Sequence, residues 1–149
     1  MIRTNRHLHD VFQTGREMAR LVRSYWSDLG PWLGASFWAY YTHVCKLPYV
    51  DDPEDVETVS RPIYTLNPAY RPRDCDDKAV LMACWFHGRG IRCRFVASST
   101  RPDKQVHHVF LQAEGVGFVD ATYNYYCKMI GNYDYFPYIT ELLALTDWF

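Results

Sequence analysis

The chain has 149 residues, of which 48% are apolar and 22% charged, and its 16 basic and 17 acidic side chains leave a formal net charge of -1. This length and balance are typical of one globular domain and exclude an intrinsically disordered chain. The charge balance also argues against a nucleic-acid-binding protein, because there is no overall excess of base to hold a polyanion.

No segment of the sequence predicts a membrane anchor or secretion. The longest uninterrupted apolar run, Ala79 to Phe86, is far shorter than the roughly 20 residues that cross a bilayer. Met1 to Arg6 is polar and basic, but no apolar stretch follows it. Five cysteines without regular spacing are typical of free thiols in a reducing compartment. We therefore expect a soluble cytoplasmic protein.

Two helices are predicted at the start of the chain. Apolar residues recur at helical spacing from Val11 to Trp26, and the arginines between them are typical of a solvated helix face. Gly30 and Pro31 end this helix, and the proline suits the first turn of the next one. The second helix is predicted from Trp32 to Lys46 and stops before Pro48.

Two further stretches of the chain have unusual composition. Residues 51–70 are rich in acids and prolines and are predicted to form a long irregular connection, which compact domains rarely contain unless it is functional. Six tyrosines lie between Tyr123 and Tyr138, followed by a short apolar segment from Ile139 to Leu145. The tyrosines suit plain packing, and they also suit a groove or an interface, because a phenol offers a large contact area.

The segment that begins at Cys75 predicts a central helix. Asp74 suits the N-cap, two more acids follow in the first turn, and Gly88 comes after the end. Beyond its first turn this helix is apolar almost all round, so we expect it to be buried. Cys84 is accordingly interpreted as part of the core.

Antiparallel strands are predicted after the central helix. Residues 91–97 alternate between apolar side chains and arginines, as in a half-buried strand. Residues 105–113 and 117–123 flank a glycine-containing turn, which is a hairpin signal. Helices followed by such strands define an α+β fold, and we divide residues 1–149 into a helical part (1–48), a core (49–123) and a tyrosine-rich part (124–149).

Cys75 is the strongest candidate for chemistry. It lies in the first turn of the predicted helix, where unpaired N–H groups and the helix dipole lower the pKa of a thiol. Three neighbouring aspartates oppose that effect, so a nearby imidazole is needed to generate the thiolate. Without one, Cys75 is a helix-start residue with no chemical role.

Two adjacent histidines, His107 and His108, could act with Asp120 on the following strand. Neighbouring residues of a strand point to opposite faces, so only one histidine can face the helix. A two-residue turn sets Asp120 opposite Leu111 on the His107 face, whereas a three-residue turn sets it opposite Phe110, diagonal to His108. Two glycines near the turn allow both forms, so the spacing leaves both histidines open.

Several short segments occur in an order that resembles the transglutaminase-like superfamily of cysteine enzymes, in particular its small stand-alone bacterial and phage members. These segments are Asp74-Cys75-Asp76-Asp77-Lys78-Ala79, Gly90-Ile91, Arg94-Phe95-Val96, His108-Val109-Phe110 and Val119-Asp120-Ala121-Thr122. The acidic stretch from Asp52 to Pro62 resembles the lead-in of those members. The resemblance covers residues 49–123, about half of the chain.

The resemblance implies a papain-like core in which the helix carrying the cysteine packs on an antiparallel sheet. It implies Cys75 as nucleophile, His108 rather than His107 as base, and Asp120 as the group that orients the base. The implied activity is that of a thiol hydrolase or acyltransferase acting on peptide or amide bonds of a protein or peptide substrate, without a cofactor. One departure is Arg73, where the family usually has glycine.

An enzyme of this type stabilises an oxyanion with two donors. The backbone N–H of Cys75 is the first candidate, and Trp38, Tyr64 and Asn67 are candidates for the second by their position upstream. The acyl-enzyme would pass to water or to an amine, and no residue separates these outcomes.

Two other interpretations compete with catalysis. A structural zinc site is disfavoured, because Cys75 and Cys84 are nine residues apart and would lie on opposite faces of a helix. The remaining cysteines, Cys45, Cys93 and Cys127, are interpreted as small packing residues. A catalytically silent transglutaminase-like scaffold that binds proteins, including a virion-associated phage protein, is the second alternative.

Overall fold

The computed structural model of the protein describes residues 3–5, 11–51, 58–70, 72–122, 139 and 141–149. The predictions for the acidic stretch at 52–57, for the tyrosines at 123–138 and for Cys127 lie outside the described residues. Within the described part, no helix has both the length and the apolar character needed to span a membrane.

The N-terminal region contains helix α1 (Val11–Tyr25), a 3₁₀ segment (Trp26–Gly34) and helix α2 (Phe37–Lys46). The predicted break is present, because the 3₁₀ segment is kinked at Gly30, whose φ of 54° glycine adopts at little cost. The sequence predicts that the second helix begins at Trp32, but in the structure it begins at Phe37. Its start is set by Ser36, whose hydroxyl accepts the N–H of Ala39 at 3.2 Å.

The connection before the central helix contains regular structure, so the prediction that residues 51–70 are irregular throughout is wrong. Strand β2 (Thr58–Ser60) pairs antiparallel with β1 (Arg3–Asn5), and the one-turn helix α3 (Pro62–Thr65) follows. The Ser60 N–H donates to Asp77 Oδ1 at 2.9 Å, which anchors β2 to the central helix. Elements this short do not show a periodic pattern in sequence.

Helix α4 (Cys75–His87) is the predicted central helix. Asp74 caps it by accepting the N–H groups of Asp76 and Asp77, and the Asp77 carboxylate accepts the Asp74 N–H at 3.0 Å in return. This capping box satisfies three donors at the helix start. Every residue from Asp76 to Phe86 is buried, and α4 packs against α1, the 3₁₀ segment and the sheet.

The sheet contains four antiparallel strands in the order β5-β4-β3-β6. They are β3 (Cys93–Ser99), β4 (His108–Ala113), β5 (Gly117–Val119) and β6 (Glu141–Ala144), the last of which forms in the apolar tail segment. Helices that precede an antiparallel four-stranded sheet confirm the α+β class. Among the strands, β4 has the most extensive contact with α4, so the start of β4 and the start of α4 are the elements that position the candidate site.

Candidate active site

The β4–β5 hairpin brings His108 and Asp120 together. Ala113 pairs with Gly117, so the turn consists of the three residues 114–116. Of the two registers that the sequence allows, this one places Asp120 diagonal to His108. The Nε2 atom of His108 lies 2.5 Å from Oδ2 of Asp120, and both side chains are buried.

His107 is turned away from this pair. Its Nε2 accepts the N–H of Thr100 at 3.1 Å and lies 3.2 Å from the Thr100 hydroxyl, on the exposed part of the connection between β3 and β4. Asp120 therefore pairs with His108, whereas His107 is hydrogen-bonded to the loop residue Thr100.

Strand β4 meets α4 in a way that differs from the expectation that the histidine faces the helix. Val109 and Leu111 belong to the apolar core, whereas His108 shares the other face of the strand with Phe110, whose ring stacks on the imidazole at a centroid distance of 5.6 Å. β4 packs on α4 through its apolar face, and the start of the strand reaches the start of the helix. The alternation of side chains along β4 places His108 on the other face.

Cys75 lies at that meeting point. The backbone N–H of Val109, the residue that follows His108, is directed to the sulfur, and the sulfur lies 3.8 Å from Oδ1 of Asp76. Burial raises the pKa of the Cys75 thiol well above its ordinary value, and the charges of Asp76 and Asp74 raise it further. The Val109 N–H acts in the opposite direction but does not compensate. Burial and the neighbouring acids therefore favour the protonated thiol in the resting site.

The Asp120 carboxylate and the backbone around it are held by Thr122, by Tyr41 of α2 and by Lys78 of α4. Its Oδ1 accepts the N–H of Thr122 at 2.8 Å, and its backbone carbonyl accepts the Tyr41 hydroxyl of α2 at 2.7 Å. The next carbonyl, that of Ala121, lies 3.4 Å from Nζ of the buried Lys78 in α4. These bonds fix the backbone on both sides of the carboxylate and hence its direction toward His108.

Tyr49 is a member of the site that the sequence did not indicate. Val50 and Arg73 form an isolated antiparallel bridge, with N–O distances of 2.6 and 2.9 Å, and this bridge sets Tyr49 beside the start of α4. The half-exposed phenol hydrogen-bonds to Asp51. Burial, followed by the nearby Cys75, raises the pKa of Tyr49, so the hydroxyl keeps its proton and acts as a donor.

Arg73, where the resemblance leads to the expectation of glycine, is completely buried. Its Nε donates to the carbonyl of Thr65 at 2.8 Å, Nη1 to Pro48 at 2.9 Å and Nη2 to Asn67 at 2.6 Å. The guanidinium therefore joins two loops to the residue that precedes the helix cap. Where a glycine would leave the backbone free to move, the hydrogen bonds of Arg73 hold it in place.

The three residues proposed as second oxyanion donors lie in other contacts. Trp38 is 58% exposed and packs its ring against Tyr41, Tyr64 packs against Tyr70, and the Asn67 side chain accepts the N–H of Ala69. Within the described part of the chain, none of the three forms a hydrogen bond with Cys75.

The other described cysteines, Cys45, Cys84 and Cys93, are buried free thiols in the core. No group of three or more metal-ligating side chains is brought together among the described residues. The pKa of Cys93 is raised by burial to about 12, which leaves this thiol unreactive at neutral pH.

Comparisons with known proteins add no further constraint, since the chain matches no family model, no curated protein and no solved structure.

Proposed function

We propose that the protein is a cysteine-dependent hydrolase or acyltransferase with a transglutaminase-like core, acting on peptide or amide bonds through Cys75, His108 and Asp120. The observation that carries this proposal is the buried His108–Asp120 pair on the strand whose next residue directs its N–H to the sulfur at the start of α4. A carboxylate, an imidazole and a thiol in this order are the components of a nucleophilic triad.

Proton transfer is the first chemical step in this proposal. His108 donates from Nε2 to Asp120, so a neutral imidazole carries its lone pair on Nδ1, which takes the thiol proton. Asp120 stabilises the imidazolium that forms. Because burial and the acids raise the pKa of Cys75, the thiolate forms when the base removes the proton and is not stored in the resting protein.

Acyl transfer follows. The sulfur forms a bond with the acyl carbon, the carbonyl electron pair moves to oxygen, and the imidazolium gives its proton to the leaving amine as the carbon–nitrogen bond breaks. Water or a second amine then attacks the thioester and releases the thiol. The first outcome is hydrolysis and the second is transamidation.

The developing oxyanion needs donors. The Cys75 backbone N–H at the helix start is one, and we assign the second to the hydroxyl of Tyr49, which lies beside Cys75 and retains its proton. To serve this role the phenol turns from Asp51 toward the substrate. This replaces Trp38, Tyr64 and Asn67 as the preferred second donor.

One observation favours the silent scaffold as a second candidate function. The raised pKa of Cys75 is the opposite of what a stored thiolate requires, and a protein-binding scaffold needs no reactive sulfur. The two functions differ in whether His108 controls the reactivity of Cys75.

Labelling with chloroacetamide tests this difference without knowledge of the substrate. For the catalytic proposal, mass spectrometry should show Cys75 as the labelled thiol, and His108→Ala should slow its labelling by about 10-fold or more at pH 7.5. His107→Ala is the matched control and should leave the rate unchanged. Equal rates in the His108→Ala variant and the unchanged protein would support the scaffold. Peptide release from casein and incorporation of a dansyl-labelled amine then separate hydrolysis from transamidation.

A further inference from the structure

A second concave site lies away from the triad, between α1 and the segment that follows β6. It is a cavity of about 510 Å³, within the size range of small-molecule sites. Neither Cys75, His108 nor Asp120 lines it. The residues that line it come from α1, β3 and the C-terminal segment: Phe12, Arg16, Ala19, Arg23, Arg94, Ala144, Leu145, Thr146, Asp147, Trp148 and Phe149.

Three guanidinium groups face this cavity without a carboxylate partner. Within the described residues, Arg16 and Arg23 form no ion pair, and Arg94 donates to the neutral Gln112 Oε1 at 2.7 Å. Asp147 is the one acidic side chain in the lining, and it forms no ion pair with these arginines in the described part.

Arginines elsewhere in the molecule behave differently. Three of them are paired with a carboxylate at 2.6 to 2.7 Å: Arg20 with Glu17, Arg61 with Asp28 and Arg92 with Glu114. A fourth, Arg89, forms no ion pair among the described residues and donates instead to the carbonyls of Trp85 and Ala35. The cavity differs from all of these because three arginines line one concave surface whose lining contains a single acidic side chain. Such a surface has a positive potential, which favours an anion.

Two aromatic residues in the cavity lining, Trp148 and Phe149, are held in position by their neighbours. The Arg94 guanidinium lies 4.5 Å from the Trp148 ring centroid, and the Arg23 guanidinium lies 5.7 Å from that of Phe149. The main chain of Phe149 exchanges two hydrogen bonds of 2.8 Å with Cys93, which extends the pairing of β3. Cation–π contact holds Arg23 and Arg94 near the two rings, and main-chain pairing holds Phe149, before any ligand arrives.

We propose that this cavity binds a small anion carried on a flat ring. The guanidinium groups would receive its phosphate or carboxylate in paired hydrogen bonds, and the ring would lie against Trp148 and Phe149. Each of these acid groups offers two oxygen acceptors that match a pair of guanidinium N–H donors, and this shared chemistry is what we assign to the ligand. This inference does not depend on the catalytic proposal.

Isothermal titration calorimetry of the full chain at low salt tests the proposal by measuring the affinity of four probes. Adenosine monophosphate and naphthoate join an acid to a ring, while inorganic phosphate and adenosine each supply one part alone. We expect at least one of the joined probes to bind about 10-fold or more tightly than inorganic phosphate and adenosine, because the cavity contacts both parts. Which joined probe binds decides between phosphate and carboxylate. If neither binds better than inorganic phosphate, the proposal is overturned.

Substitutions locate the binding. The Arg16→Gln, Arg23→Gln double variant should weaken the tighter probe by about 10-fold or more, because each lost guanidinium removes charge-assisted hydrogen bonds. Arg92→Gln, at the residue before β3, is the control for the loss of one positive charge outside the cavity, and its affinity should equal that of the unchanged protein. Arg16 has no partner among the described residues, so Arg16→Gln alone should leave the fold intact. This single variant tests the proposal if the double variant does not fold. Unchanged affinity in a folded variant lacking Arg16 or both arginines would place the probe elsewhere and overturn the proposal.

Discussion

The two halves of the candidate site differ in how they are prepared for reaction. The base half, His108 and Asp120, is held by neutral hydrogen-bond donors from several elements, and its two side chains are already joined. The nucleophile half, Cys75 with Asp74 and Asp76, is surrounded by negative charge that keeps the thiol protonated. One half is already joined and the other holds its proton, so in the proposed mechanism the reactivity of the sulfur depends on the histidine.

The largest expected effect comes from removing the base. His108→Ala should lower turnover of whichever peptide or amide substrate is found by about 10³-fold or more, as in other triads. His107→Ala should retain activity within about 2-fold, because its ring contacts Thr100 and not Asp120. Loss of activity in the His107 variant alone would reverse the assignment of the base.

Asp120→Asn removes the carboxylate that orients the His108 imidazole while leaving the size of the side chain at position 120 unchanged. We expect turnover to fall by about 10² to 10⁴-fold, because an amide can donate to Nε2 and impose the wrong tautomer. The measurement is kcat with KM determined alongside, and KM should change little. A fall in binding with unchanged kcat would show that Asp120 serves the structure of the hairpin alone.

Tyr49→Phe removes one hydroxyl from the nucleophile half. If the phenol stabilises the oxyanion, kcat should fall by about 10 to 10²-fold with little change in KM, because the bond is made in the transition state. Tyr64→Phe is the control, since its ring packs against Tyr70. The assignment of the second donor fails if both variants retain the same kcat.

The smallest effect is expected from Asp76→Asn. Because Asp76 raises the pKa of the Cys75 thiol, neutralising it lowers that pKa and increases the thiolate fraction at any pH below it. Alkylation at pH 8 should therefore accelerate several-fold, and the rate in the unchanged protein should still rise beyond pH 9. A plateau of the unchanged protein below pH 8 would show instead that His108 stores the thiolate as an ion pair.

The sequence predicted the parts of this site that depend on neighbouring residues. The Asp74 cap and the apolar interior of α4 are local signals, and both are present as predicted. The start of α2 was misplaced because the aromatic stripe fits a 3₁₀ segment as well as a helix, and the cap at Ser36 decides between them.

Features that depend on distant residues could not be predicted. The length of the hairpin turn was left open by its two glycines, and the pairing of Ala113 with Gly117 settles it. Tyr49 enters the site only through the bridge between Val50 and Arg73, which are separated by a long connection. A lysine in an apolar helix was visible in the sequence, but its carbonyl partner at Ala121 depends on the fold of the whole chain.

The buried guanidinium of Arg73 has a consequence for how the site adapts to what it binds. Because one side chain ties Pro48, Thr65 and Asn67 to the residue before the helix cap, those loops and the first turn of α4 respond to any displacement as a unit. A lysine ammonium is a compact charge and lacks the rigid, planar fork of donors with which Arg73 reaches these three carbonyl groups. Accommodation of molecules of different shape therefore falls to single side-chain rotations, such as that of Tyr49, and the supporting backbone keeps its shape throughout.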